Sequence, residues 1–143
     1  MTILGVDYGK RRIGIAKSDE LNMFAHGVGY VRNESEAAVM SALQEYITAY
    51  GVDRIVVGLP RRLNGELGQA AEEILQFVDR LTETLGVVVV TWDERLTTKE
   101  ADRFFLESGT KGKKKRERVD QLACQIMLQS YLDSIRSSGE REQ

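Results

Sequence analysis

The sequence is poor in cysteine, proline and histidine, with one of each in 143 residues. A lone cysteine, Cys124, excludes a disulfide within the chain, and nothing asks for an oxidising compartment. The single proline, Pro60, gives no sign of a flexible proline-rich linker. No apolar run exceeds four residues, as in Val87–Val90, so none is long enough to span a bilayer. The first residues also lack the pattern of a signal peptide. We therefore expect a cytoplasmic protein with no membrane segment.

The bulk composition is that of an ordinary globular domain. Hydrophobic residues make up 42% of the chain and charged residues 29%, a normal balance for a protein with a buried core. A chain of this length fits one domain and needs neither disulfides nor a structural metal to fold. We predict one domain over residues 1–137 and a flexible polar tail over 138–143.

The net charge of −2 excludes a uniformly basic nucleic-acid-binding protein. The basic residues are nevertheless clustered, at Lys10–Arg12, at Arg61–Arg62 and over Lys111–Arg118. Basic runs are often only solvated surface, but here they interrupt an otherwise acidic chain. Their clustering is compatible with a local surface that faces phosphates.

Short apolar runs predict the strands. Thr2–Val6 and Ile13–Lys17 flank a turn-like Gly-Lys-Arg-Arg and predict a β-hairpin, and a third strand is expected around Gly27–Val31. The continuous apolar runs Arg54–Gly58 and Val87–Trp92 predict strands that are buried on both faces. Early strands joined by turns indicate antiparallel pairing, and later strands separated by helices indicate parallel pairing.

Apolar residues at helical spacing alternate with these strands. Asn33 is the predicted N-cap of a helix that continues to about Tyr50. Further helices are predicted to end near Leu85, to run from Thr97 or Thr98 to about Ser108, and, after a basic loop, to cover Val119–Ile135. The order β-β-β-α-β-α-β-α predicts an α/β fold with a mixed five-stranded sheet and helices on both faces.

Several acidic residues lie at the ends of predicted strands or at the start of a predicted helix. Asp7 ends the first strand, Asp93 and Glu94 end the last one, and Asp120 lies at the start of the final helix. Carboxylates that converge without basic partners repel one another, and a hard divalent cation removes that repulsion. Two such ions about 3.5–4 Å apart would suit phosphodiester hydrolysis. Taken singly, each residue is more often a turn or cap residue.

Four segments resemble motifs of the YqgF/RuvX family, in the family's order and spacing, over Met1–Leu132. They are VDYGKRRIGIAKSD, IVVGLPRRLNGELG, TWDERLTTKEA and KGKKKRERVDQLACQIMLQSYL. The resemblance implies an RNase H-like fold and a hydrolase, a divalent-metal-dependent nuclease. Members of the family are described as Holliday junction resolvases or as nucleases that mature the 5′ end of 16S ribosomal RNA.

Carried onto this chain, the resemblance implies that Asp7, Glu94 and Asp120 are the catalytic metal ligands, with Asp93 in reserve. The expected cofactor is Mg²⁺ or Mn²⁺, as two ions. One departure concerns Arg61–Arg62, where many relatives carry Leu-Asn, so substrate preference transfers less well than metal chemistry. The expected nucleic-acid-binding residues are Lys10, Arg11, Arg12, Arg61, Arg62, Arg95, Lys111, Lys113, Lys114, Lys115, Arg116 and Arg118.

Three functions stay open at this point. The first is a nuclease, acting on the 5′ end of pre-16S rRNA within ribosomal particles or on four-way DNA. A resolvase makes paired cuts and is expected to be a homodimer, whereas a trimming nuclease can be a monomer. The second is a non-catalytic nucleic-acid or ribosome-associated binding protein, since the basic run of Lys111–Arg118 needs no metal to bind phosphates. The third is an ATP-binding protein, because actin-like ATPases also begin with Asp-x-Gly on a strand.

Overall fold

The computed structural model describes residues 2–61, 64–94 and 113–142, and in the last of these ranges the side chains of 122–136. The predicted short helix from Thr97 or Thr98 to about Ser108 lies outside these residues. No helix within the described ranges is long and apolar enough to cross a membrane.

A mixed five-stranded sheet forms the centre of the fold, in the order β3-β2-β1-β4-β5. The first three strands pair antiparallel, whereas β4 lies parallel to β1 and β5 parallel to β4. This arrangement confirms the predicted mixed sheet. The strands are β1 (Thr2–Asp7), β2 (Arg12–Ser18), β3 (Ala25–Arg32), β4 (Val52–Leu59) and β5 (Val88–Asp93).

Helices cover both faces of the sheet, as predicted. They are α1 (Glu36–Tyr50), α2 (Gln69–Leu85) and α3 (Lys113–Glu142) in the described part of the chain. Helices α1 and α2 share one hydrophobic core with the sheet, and α3 packs against the opposite face in a second core. We call these the α1/α2 face and the α3 face.

The α1/α2 face is closed by aliphatic packing. Leu43 of α1 and Leu81 of α2 are fully buried against Val6 of β1 and Val57 of β4. Both helices end at a glycine with positive φ, Gly51 and Gly86, a conformation that β-carbon-bearing residues adopt at a cost. Among the residues with described side chains, this face carries the larger of the two hydrophobic cores, whose apolar burial stabilises the fold.

The α3 face combines close packing with hydrogen bonds. A Cβ placed on Gly5 would lie 3.1 Å from Cβ of Leu128, so α3 crosses β1 almost in backbone contact. The amide of Gln129 accepts from the backbone N of Ala25 at 2.9 Å and donates to the carbonyl of Met23 at 2.8 Å. These contacts hold α3 in one position on the sheet.

Three sequence predictions need correction. Helix α1 begins after Ser35, whose hydroxyl accepts from the backbone N of Ala38, because the predicted cap Asn33 instead donates its side-chain amide to the carbonyl of Gly9. Helix α3 begins at Lys113 and continues to Glu142. Strand β5 is an edge strand whose Val88 is exposed, not a strand buried on both faces.

The early start of α3 has a physical cause. Lysine, arginine and glutamate are good helix formers, and no glycine or proline interrupts the run between Gly112 and Gly139. The predicted basic loop is therefore wrong from Lys113 onward. The division into a domain over 1–137 and a tail over 138–143 stays a prediction, although the backbone of α3 continues through that boundary.

Candidate active site

The carboxyl ends of the three parallel strands meet at one edge of the sheet. Asp7 is the last residue of β1, and Asp93 is the last residue of β5, with Glu94 directly after it. The turn between β1 and β2 lies at the same edge, because β2 pairs antiparallel with β1. The fold thus collects these acidic residues and one basic turn on a single edge.

Strand alternation decides which carboxylates share a face. Ile3 of β1 and Val56 of β4 belong to the core beneath α3. Side chains two or four positions further along a strand point the same way, so Asp7 and Gly58 also lie on the α3 face. They are neighbours across the ladder, one step beyond the paired residues Val6 and Val57.

The same rule separates Glu94 from Asp93. Trp92 packs against the core of the α3 face. Glu94 follows two positions later, so its side chain points to the same face. Asp93 belongs to the other side, where its Oδ2 lies 4.0 Å from Nε of Arg61. Glu94 and Asp7 therefore share a face, and the reserve ligand Asp93 pairs with an arginine instead.

Glu94 is held over the middle strand of the three. Its backbone N donates to the carbonyl of Leu59 at 3.2 Å, which continues the pairing of β5 with β4. Its half-buried side chain then lies directly above Gly58. A Cβ placed on Gly58 would be 2.7 Å from Cδ and 2.8 Å from Cγ of Glu94, well inside normal carbon–carbon contact. Sequence reasoning did not single out Gly58, although a glycine inside a β-branched strand signals a close approach.

Cys124 links these two carboxylates to α3. Its thiol is fully buried in the core beneath α3. Burial raises the pKa of the Cys124 thiol well above its ordinary value, and the negative charges of Asp7 and Glu94 raise it further. Asp7 and Glu94 are thus close enough to act on the same buried group.

The backbone of α3 carries Asp120 towards the same edge. Arg54, which pairs with Ile3 near the start of β1, donates to the hydroxyl of Tyr131 at 2.8 Å, whereas Cys124 and Leu128 lie further along the strand, beside Gly5. Towards lower residue numbers, α3 therefore runs past the carboxyl end of β1. Asp120 precedes Cys124 by four residues, about one turn or 6 Å along the axis. Its side chain lies outside the described set.

The donor set of Asp7 and Glu94 is suited to a hard divalent cation. Both groups supply carboxylate oxygens, which Mg²⁺ and Mn²⁺ prefer over nitrogen or sulfur ligands. Within the described residues, no group of three or more acidic, histidine or cysteine side chains is placed to hold a metal ion. Asp120, the third predicted ligand, is not among these residues, because the structure describes only its backbone.

Predicted phosphate-binding residues surround this edge. Lys10 and Arg11 are exposed on the β1–β2 turn, and Arg12 is half-buried with its guanidinium 5.7 Å from the ring centre of Tyr30. The turn is fixed by Asn33, whose backbone N donates to the carbonyl of Arg11 at 2.9 Å. These residues form a pre-shaped basic rim, which we call the β1–β2 rim.

The structure describes the other predicted basic residues only in part. Arg61 lies at the same edge, donating to the carbonyl of Gly65 at 3.1 Å in addition to its contact with Asp93. Arg62, Arg95 and Lys111 fall outside the described residues. Only the backbone is described, as part of α3, for Lys113, Lys114, Lys115, Arg116 and Arg118.

Comparison with known proteins identifies the family. The family model of RuvX, described as Holliday junction resolvase, matches residues 1–134. The chain belongs to the RuvX family. A relative from Caldanaerobacter subterraneus, named "Putative pre-16S rRNA nuclease", is 42% identical over 139 residues, covering 96% of this chain and 100% of the relative. A relative of the same name from Clostridium botulinum is 44% identical over 135 residues, covering 94% and 98%. The predicted family is confirmed.

Solved structures confirm the predicted RNase H-like fold. The RuvC protein of Thermus thermophilus in complex with a Holliday junction substrate aligns with a TM-score of 0.58 at 16% identity, over 96% of each chain. The Holliday junction resolvase of fowlpox virus aligns with a TM-score of 0.55 at 14% identity, over 94% of this chain and 99% of that one. At these identities the likeness concerns the fold.

Proposed function

We propose that this RuvX-family chain is a divalent-metal-dependent nuclease that hydrolyses phosphodiester bonds in structured nucleic acid, and that its substrate is the 5′ end of pre-16S rRNA. One observation carries the proposal. Carboxylates from β1 and from the end of β5, Asp7 and Glu94, lie on one face at one edge of the sheet, beside a basic rim. Family membership supports the enzyme class.

The proposed metal ligands are Asp7, Glu94 and Asp120. When bound, one or two divalent ions would neutralise the carboxylates, activate water and stabilise the departing oxygen. The chain's own contribution is to hold its carboxylates on rigid elements. Asp7 lies at the end of a central strand, and Glu94 is tied to Leu59 by its backbone N. Asp93 is not part of the proposed set, because it lies on the other side of β5 beside Arg61.

The β1–β2 rim is proposed to hold the phosphate backbone. Lys10 and Arg11 are exposed next to Asp7, so a phosphate above the carboxylates would be within reach of both. Arginine suits bidentate contact with phosphate oxygens, and lysine acts as a point charge. These contacts orient the nucleic acid without reading its sequence, and salt should weaken them.

The choice of substrate rests on relatives. Those that cover nearly their whole length and nearly all of this chain are named for pre-16S rRNA, which supports an RNA substrate. The family description and the fold neighbours refer to Holliday junctions, which supports four-way DNA as the second candidate. A resolvase would need two copies of the active site, and a trimming nuclease needs one.

A side-by-side cleavage assay tests both substrates. The purified chain is incubated with a labelled precursor of 16S rRNA and with a four-way DNA junction, each with Mg²⁺, with Mn²⁺ and with a chelator. We expect shortening of the precursor at its 5′ end, loss of cleavage with chelator, and recovery when Mg²⁺ is restored.

The variant Asp7→Asn serves as the control for contaminating nucleases, since it should remove cleavage and keep binding. Paired cuts in the junction with an intact rRNA precursor would replace the first substrate by the second. Tight metal-independent binding of both nucleic acids, with no cleavage of either, would refute the nuclease proposal and favour a binding protein.

A further inference from the structure

We infer that Gly58 is a positioning residue for Glu94, because the missing side chain on β4 opens the path by which the Glu94 carboxylate reaches the side of Asp7. The inference rests on the proposed function for its catalytic meaning. Its structural content, the dependence of the Glu94 position on an empty space above Gly58, stands on the contacts alone.

The distance between strands sets the problem. Asp7 belongs to β1 and Glu94 follows β5, with β4 between them. Neighbouring strands are about 4.8 Å apart, so β1 and β5 are separated by roughly 10 Å. Carboxylates that point straight up from these two strands would be too far apart to ligate one ion, since the bonds from Mg²⁺ to oxygen are only about 2.0–2.1 Å long. One side chain has to lean across β4.

Glu94 is the side chain that leans. Its Cγ and Cδ lie 2.8 Å and 2.7 Å from the position of a Cβ on residue 58, and its Oε1 would overlap that position as well. Three consecutive atoms of Glu94 therefore occupy the space that any other residue at position 58 would fill. Gly58 itself is the neighbour of Asp7 across the β1–β4 ladder.

The surrounding residues explain why this space is available only here. One position before Gly58, Val57 faces the α1/α2 core, and Val56 fills the α3 face two positions before. Both are fully buried, as expected for a central strand. A glycine in such a strand weakens it and gives up packing. At position 58 the space it leaves is filled by a carboxylate from the neighbouring strand.

The variant Gly58→Ala tests this role. The clash involves the far end of a flexible side chain, so the new methyl group should displace Glu94 and leave the fold nearly intact, with a thermal midpoint within about 3 °C of the unmodified chain. We expect the affinity for Mn²⁺, measured by calorimetry, to fall by about 10- to 100-fold. In a Glu94→Ala background, which removes all three clashing atoms, Gly58→Ala should cause no further loss.

A matched control separates positioning from damage to β4. Val57→Ala, the adjacent substitution on the same strand, should lower the thermal midpoint more than Gly58→Ala does and leave the Mn²⁺ affinity unchanged. If Gly58→Ala binds Mn²⁺ like the unmodified chain, or if its effect adds in full to that of Glu94→Ala, the positioning role is refuted.

Crystal structures of the unmodified chain and of Gly58→Ala, both without metal, supply a readout that is independent of the proposed function. We expect the Glu94 carboxylate to leave the space above residue 58 in the variant. An unmoved carboxylate would overturn the inference. An unmodified chain that neither binds Mn²⁺ nor cleaves nucleic acid would refute the nuclease proposal, while the displacement of Glu94 would still establish its dependence on Gly58.

Discussion

The two faces of the sheet are built differently. On the α1/α2 face, two amphipathic helices press aliphatic side chains such as Leu43 and Leu81 onto the strands. On the α3 face, the helix α3 lies close over Gly5, and amide groups such as Gln129 bind the backbone of the neighbouring β2–β3 turn. The acidic side chains of Asp7 and Glu94 also lie on this second face.

The difference indicates that one face stabilises the fold and the other carries the candidate active site. Apolar burial on the α1/α2 face tolerates no polar group without a partner, so it can stabilise the fold but not hold exposed carboxylates. The α3 face carries the carboxylates of Asp7 and Glu94 at the carboxyl end of the parallel strands, next to the basic β1–β2 rim. Substitutions on the α1/α2 face should therefore change the free energy of unfolding, and substitutions at the carboxylates should change cleavage.

The largest effect is expected for Asp7→Asn, which removes a charged ligand and keeps the shape of the side chain. Cleavage of the rRNA precursor should fall by more than about 100-fold. Even the mutation of a residue that only hydrogen-bonds a metal ligand lowers metal affinity by about 10- to 100-fold. The free energy of unfolding should change little, since the amide keeps nearly the size and shape of the carboxylate. The control is Asp53→Asn, an exposed carboxylate near the start of β4. Equal losses in both variants would contradict the assignment.

On the α1/α2 face, we expect a substitution to lower stability and to leave cleavage unchanged. Leu43→Ala leaves a cavity beneath α1, because Leu43 is fully buried, and should lower the free energy of unfolding by about 2–5 kcal/mol. Cleavage per folded molecule should be unchanged at a temperature where the variant is folded. Urea denaturation measures the loss, and Leu21→Ala, at a residue 77% exposed, is the control with little expected effect. A catalytic defect at full stability would break the comparison.

A smaller loss is expected where α3 is tied to the β2–β3 turn. Gln129→Ala leaves the backbone N of Ala25 and the carbonyl of Met23 without this partner, and should lower the free energy of unfolding by about 1–3 kcal/mol. The matched control is Gln44→Ala on the exposed side of α1, whose amide donates to the hydroxyl of Thr48 within the same helix. If both variants unfold at the same urea concentration, the tie does not stabilise the α3 face.

The smallest effect concerns pH at the same turn. A hydrogen bond from the backbone N of Met23 lowers the pKa of Asp19 below its ordinary value. A carboxylate whose pKa is lower in the folded state contributes stability above its unfolded pKa and loses it as the pH falls through the folded pKa. An NMR titration should show Asp19 titrating below a peptide reference, and Asp19→Asn should remove this acid-side dependence. An unshifted titration would show that the turn does not hold the carboxylate.

Much of the fold could be predicted from apolar periodicity, because strand and helix patterns depend on local spacing. Strand order across the sheet is not local. The run at Val87–Trp92 was therefore predicted as a buried strand, although β5 lies at the edge and exposes Val88. A run of like charges is typical of a solvated loop, yet α3 begins at Lys113, because lysine, arginine and glutamate are good helix formers.

The candidate site was predictable only in part, because strand alternation is local whereas the packing of helices and strands is not. Alternation along a strand places Asp93 and Glu94 on opposite faces, but only the packing of α3 shows which face Asp7 shares. The role of Gly58 depends on a contact between residues 36 positions apart. No local pattern contains that contact, and only the pairing of β4 with β5 brings the two residues together.

The central claim is that Asp7, Glu94 and Asp120 meet around divalent metal. Anomalous diffraction from a crystal soaked in Mn²⁺ tests it most directly. The account predicts one or two manganese peaks at the carboxyl edge of the sheet, with oxygens of all three residues as ligands and Asp93 still beside Arg61. Manganese bound elsewhere, or carboxylates too far apart to share an ion, would contradict it.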